Sequence, residues 1–167
     1  MSATLARASA EEREALLRLF VRLCEIESPS RQERAVADAV AAELRALGLE
    51  VEEDSTGAAT GSDAGNLLAR IPGPDGARCV LLCAHLDTVP LAAPVEVQQG
   101  EDGVLRNRHA GILGADTQAA VATILAAAGR LVREGSPVGV ELLFTTCEEL
   151  ALRGAAELDR ASLRSEL

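Results

Sequence analysis

The sequence predicts an α/β fold, a three-layer sandwich with a mostly parallel or mixed central sheet and helices on both faces. Segments with strand character alternate with segments of helical period along the chain. The two longest strand candidates, residues 78–84 and 138–145, are apolar for most of their length, as strands covered on both faces are. With 167 residues and 48% hydrophobic content, the chain is long enough for one domain with a real core.

Each element has its own signal. Residues 11–26 read as a helix with Leu16, Phe20, Leu23 and Ile26 as its stripe, and Ser9 with Glu12 has capping-box spacing. Ser28-Pro29-Ser30 breaks it. Residues 31–47 form a second helix, with Ser30 and Glu33 again spaced as a capping box, a stripe of Val36, Val40, Leu44 and Leu47, and Gly48 as its stop. Residues 49–53 suit a short strand, 56–65 a small, polar loop, and 66–71 a strand followed by the turn Pro72-Gly73-Pro74-Asp75-Gly76. Residues 78–84 are then a buried strand. Residues 95–99 and 104–106 flank Gly100-Glu101-Asp102-Gly103 as a hairpin. The Gly-rich run 111–116 leads into a helix over 117–133, stopped by Gly135. The strand 138–145 follows, and a final helical region starts near Leu150.

Composition excludes several classes. The net charge is −10 and the pI about 4.7, which argues against nucleic acid or an anionic membrane surface as partner. Phe20 and Phe144 are the only aromatic residues, too few for a base-stacking platform. Cys24, Cys79, Cys83 and Cys147 form no disulfide framework and lack the C-x2-C spacing of structural zinc sites. Cys79 and Cys83 are expected as small buried hydrophobes on one side of their strand. The chain opens with no basic segment leading into an apolar run, and no run approaches membrane length, so the expected location is cytoplasmic.

The chemistry collects after strands. His85 and Asp87 close the strand 78–84, and residues i and i+2 of an extended segment point to one side. Asp87 can therefore orient the His85 ring while the other nitrogen faces a metal. Asp116 ends the Gly-rich run, and Glu148-Glu149 follow the strand 138–145. In open α/β sheets ligands bind at the carboxyl ends of strands, so these positions converge. Taken singly, each has a plainer reading: Asp116 as a helix N-cap, Glu148-Glu149 as solvated first-turn residues, His109 as an exposed loop histidine.

Three blocks carry a family resemblance. They are His85-Leu86-Asp87-Thr88-Val89-Pro90, then Ile112-Leu113-Gly114-Ala115-Asp116 with Ala119-Ala120-Val121-Ala122, then Cys147-Glu148-Glu149 with Leu152 and Gly154-Ala155. In this order they resemble the M20 family of metallopeptidases and amidohydrolases, above all its peptidase T-like branch, over residues 11–159. The resemblance implies a zinc-exopeptidase-like fold and two divalent metal ions, Zn²⁺ by default with Mn²⁺ or Co²⁺ as alternatives. It implies that His85 binds the first ion, Asp116 bridges both and Glu149 binds the second. Asp87 would orient His85, and Glu148 would be the general base for a metal-bridging water that attacks the amide of a short peptide. It also implies a cis peptide at Asp116-Thr117.

The chain departs from the family pattern at Thr117-Gln118, where Lys commonly stands at the second position, and at Ala151, where Gly is common. The family's further metal ligands, a carboxylate and a histidine, have no match here, and no histidine follows His109. Residues 1–167 are therefore expected to be the N-terminal part of one catalytic domain, incomplete at the C-terminus. The lid and dimerisation domain would be absent, metal binding weak and turnover negligible, with apolar sheet surface exposed. The longer protein would be a tripeptide aminopeptidase-like enzyme and a homodimer. The alternatives are an M20 amidohydrolase, deacylase or carboxypeptidase, or a non-catalytic fragment that keeps the fold.

Overall fold

A computed structural model describes residues 7–165. In chain order the elements are α1 (Ala10–Cys24), α2 (Arg34–Ala46), β1 (Val51–Glu53), α3 (Thr56–Thr60), β2 (Leu67–Ile71), β3 (Cys79–His85), β4 (Val97–Gln99), β5 (Leu105–Asn107), α4 (Ala115–Glu134), β6 (Gly139–Thr145), α5 (Arg153–Ala156) and a 3₁₀ turn, Arg160–Ser162. The main sheet has the order β1-β2-β6-β3. β2 runs antiparallel to β1 and β6, and β3 runs parallel to β6, so the sheet is mixed as the sequence predicts. β4 and β5 form the expected hairpin, a two-stranded sheet apart from the main one.

Alternation along the strands sorts the two faces. Leu67, Ala69 and Ile71 of β2 and Val140, Leu142 and Phe144 of β6 join one buried cluster with Val36, Val40 and Leu44 of α2 and Val121, Leu125 and Ala128 of α4. The helical stripes recur at three- and four-residue spacing, so each helix turns one face to the sheet. α1 packs against α4 and adds Leu23. Its start is the predicted capping box: Glu12 N–H donates to Ser9 Oγ at 3.1 Å, and Ser9 N–H donates to Glu12 Oε2 at 2.8 Å.

The opposite face buries a charged group beside Leu68 and Leu143. Glu141, in mid-β6, is 1% exposed. Its carboxylate accepts from Arg70 Nε at 3.1 Å and from the backbone N–H groups of Arg164 and Ser165 at 2.9 Å each. This carboxylate fastens the 160–165 segment over the sheet. Burial pushes the Glu141 carboxyl up, but the Ser165, Arg164 and Arg70 donors outweigh it and hold the group below the usual carboxylate range. A depressed folded pKa adds stability that is complete above the unfolded value near 4.3 and fades as pH falls through the folded value. Glu141→Gln is expected to cost about 2 kcal/mol at neutral pH and to flatten the loss of stability below about pH 4. Urea unfolding of both proteins across pH 2.5–7 checks this, and an unchanged acid limb would contradict it.

Four expectations need correction. α2 starts at Arg34, and Ser30 and Glu33 form no capping box; Glu33 gives its N-terminus no side-chain bond, because both side chains are engaged elsewhere in the chain. The 56–65 segment is not wholly loop, since α3 forms one short turn of helix there. β3 is not buried on both faces. Among the described residues it is an edge strand with β6 on one side only, so Val80 is 44% exposed, Cys83 is exposed and Cys79 is half-buried. The last helix is only Arg153–Ala156, because Ala151 and Leu152 take positive φ and hold the backbone out of a helix there.

Candidate metal centre

Parallel pairing of β3 with β6 aligns His85 with Thr145, so both chains leave the sheet at the same carboxyl edge. Leu86 N–H donates to the Thr145 carbonyl at 2.8 Å and extends the pairing by one step. A third segment reaches this edge from the start of α4. Gly114 has φ +79, and Asp116 and Thr117 are non-helical although they fall within the helix bounds. The Asp116-Thr117 peptide is cis, as the motif resemblance implies. Gln118 Nε2 donates to the Leu86 carbonyl at 3.0 Å and ties this turn to the end of β3.

The predicted residues meet there. His85 Nε2 lies 3.3 Å from Asp116 Oδ1 and 3.8 Å from Glu148 Oε2. His85, Glu148 and Glu149 each offer one donor atom, all within 4.8 Å of one another. The Asp116 side chain is 87% exposed and that of Glu148 33%, so the cluster opens to solvent.

Asp87 does more than its spacing suggests. His85 Nδ1 lies 2.9 Å from the Asp87 backbone carbonyl and 3.5 Å from its carboxylate. A proton on Nδ1 donated to that carbonyl leaves the Nε2 lone pair facing the acidic groups. The Asp87 carboxylate is fully buried. It accepts from Glu148 N–H at 2.9 Å, Glu149 N–H at 3.1 Å and Ser30 Oγ–H at 2.6 Å. One carboxylate thus joins the histidine strand, the Glu-Glu loop and the connector before α2.

The titration behaviour follows from this packing. Burial pushes Asp87 up, but His85, Ser30 and the two backbone N–H groups overcome it and hold Asp87 low. Burial works to lower His85, but Asp87 and then Glu148 raise it above its ordinary value. Glu149 is raised by desolvation and then by the charge of Glu148. Among the described residues, the ion pairs of Asp116 and Glu148 run to His85 alone. Several carboxylates around one imidazole nitrogen, without Arg or Lys among these pairs, form the oxygen and nitrogen donor set that divalent zinc, manganese or cobalt prefers. The residues fit such ions.

His85, Asp87, Asp116, Glu148 and Glu149 are therefore brought together. His109 is not among them. It sits beside the hairpin with Nε2 3.2 Å from Glu96 Oε2. Ser30 and Gln118 support the site and were not predicted to do so. The Ser30-x-x-Glu33 spacing was a signal, but it pointed to a local cap.

The model of peptidase family M28 matches residues 66–165, which hold every residue of this cluster. The chain belongs to peptidase family M28. The matching model is thus M28 rather than M20, the family its motifs resemble. Aminopeptidase PepT of Bacillus cereus superposes with a TM-score of 0.85 at 32% identity, covering 92% of this chain and 41% of that one. A tripeptidase of Staphylococcus aureus gives a TM-score of 0.86 at 28% identity, covering 92% and 42%. A dinuclear metal-binding M20 peptidase of Bacillus subtilis shares the fold, with a TM-score of 0.60 at 14% identity, covering 89% and 41%. This M28 chain thus spans about two fifths of the length of these peptidases.

Proposed function

We propose that the chain carries the metal-binding and proton-transferring part of an M20-type, peptidase T-like aminopeptidase acting on short peptides. The observation that carries the reading is the meeting of His85, Asp116, Glu148 and Glu149 at one sheet edge, with His85 Nε2 turned toward the carboxylates. The likeness to an aminopeptidase PepT and a tripeptidase supports the substrate class. His85 and Glu149 would each hold one ion and Asp116 would bridge the two. Bound divalent ions supply Lewis acidity toward a carbonyl oxygen and a water.

The chain's own groups do the rest. Glu148 takes the proton of the attacking water and returns it to the departing amine. Asp87 fixes both ends of this arrangement, the His85 ring through its carbonyl and the Glu148 backbone through its carboxylate. Burial keeps the His85 ring in one orientation, with its side chain 12% exposed. His85, Asp116 and Glu149 give each ion two protein donors when Asp116 is shared, fewer than the three or four of most zinc sites. The chain by itself is therefore expected to bind metal weakly and to turn over little. No helix among the described residues is long and apolar enough to cross a membrane, and a cytoplasmic location forms part of the proposal.

Zn²⁺ or Mn²⁺ at tenfold its dissociation constant is expected to stabilise the folded chain by about 1.4 kcal/mol. For a chain of this size that raises the thermal midpoint by roughly 3–5 °C. Differential scanning calorimetry with and without each ion measures it, and His85→Ala should abolish the shift. No shift with either ion, or an equal shift in His85→Ala, sinks the reading.

A further inference from the structure

Glu33 has no part in the chemistry above, yet its side chain is wholly buried. It stands at the boundary of α2 without capping it. Its carboxylate reaches two distant segments instead. Oε1 accepts from the Cys147 backbone N–H at 3.0 Å and from the Cys147 thiol at 3.4 Å. Oε2 accepts from the Ser62 hydroxyl at 2.6 Å. Burying a carboxylate is costly unless its oxygens are matched by donors, and here both are.

Cys147 is the residue before Glu148 and is itself fully buried. Its φ is +52, a left-handed conformation that a residue with a side chain keeps only where its surroundings hold it. The bond from Glu33 is made to the N–H of this residue. The same connector also braces the other half of the site. Ser30 Oγ donates to Asp87, Ser30 N–H donates to the Thr88 carbonyl at 3.3 Å, and Thr88 N–H donates to the Ser28 carbonyl at 2.8 Å. Residues 28–33 therefore touch the loop after β3 and the loop after β6 together.

We infer that Glu33 is a positioning residue, which fixes the backbone turn at Cys147 and thereby the placement of Glu148 and Glu149 against His85. Its consequence for metal binding rests on the metallopeptidase reading; its hold on the Cys147 turn does not. A Gln can accept from Cys147 N–H and donate to Ser62, so it preserves the connection. Ala removes it, and Asp retains the charge but shortens the reach.

The test follows two quantities in the 167-residue chain. One is amide hydrogen exchange of residues 147–149. The other is the Co²⁺ dissociation constant, read from the visible absorption band. Glu33→Ala is expected to speed exchange at these amides at least tenfold and to weaken Co²⁺ binding at least tenfold. Glu33→Gln should stay within about threefold of the parent in both. Ile71→Ala, a core truncation at the other end of the sheet, should lower thermal stability and leave both quantities unchanged. If Glu33→Ala does not fold, Glu33→Asp decides, with at least a fivefold effect expected in the same direction. Parent-like exchange at 147–149 in a folded Ala or Asp variant overturns the inference, as does an equal effect in Ile71→Ala. A parent chain that binds no Co²⁺ overturns the metallopeptidase reading, and the exchange rates alone then judge Glu33.

Discussion

Asp87→Ala is expected to lower the stability of this chain by about 3–5 kcal/mol. Three donors lose their acceptor at once: the hydroxyl of Ser30 and the backbone N–H groups of Glu148 and Glu149. The Asp87 side chain is fully buried, so water does not readily replace the lost carboxylate. Such a loss is a large fraction of the 5–15 kcal/mol typical of a whole domain. Asp87→Asn keeps the shape but turns one oxygen into a donor facing another donor, and roughly half of the loss is expected. Urea unfolding of the three proteins measures this. A cost below about 1 kcal/mol for Asp87→Ala would show that the carboxylate does not hold these segments together.

The second large effect concerns rate rather than stability. In a metal-loaded peptidase that contains this chain, Glu148→Gln is expected to lower turnover at least 100-fold, within the range attributed to a positioned general base. Gln has the size of Glu and keeps the backbone N–H that Asp87 accepts, so the fold should not change. The metal-induced rise in thermal midpoint should persist. Peptide hydrolysis followed beside calorimetry separates the outcomes. Undiminished turnover removes Glu148 as base. Loss of the metal shift would instead make it a ligand, which its place in the His85-Glu148-Glu149 cluster makes a sharp alternative.

Much of this was legible from residue order. His85 ends one apolar strand and the Glu148-Glu149 pair follows another, and the strand-end rule for α/β sheets puts such positions together. The helical stripes of α1, α2 and α4 and the Ser9-Glu12 box were equally plain, because they are local patterns. Reach beyond the local segment was not legible. Ser30-x-x-Glu33 has the spacing of a capping box, and spacing cannot say whether an oxygen serves the next turn or the distant Cys147. Asp87 stands two residues from His85, which predicts a side-chain contact. The nearer contact comes from its backbone, and the carboxylate is spent on Glu148 and Glu149. The apolar run of β3 suggested full burial, but burial depends on neighbouring strands that the run does not encode.

The parallel pairing of β3 and β6 has a kinetic side. Its partners, His85 and Thr145 among them, are separated by roughly 60 residues, occupied by a hairpin and the longest helix. Closing so long a connection is entropically costly before any contact rewards it, so such pairings tend to form slowly. α1, α2 and α4 can gain helical structure on their own, while the imidazole and the two glutamates stay far apart until the crossover shuts. Assembly of the site is thus bound to one of the slower events in the folding of the chain. A partly folded molecule can hold all its helices and still lack the centre.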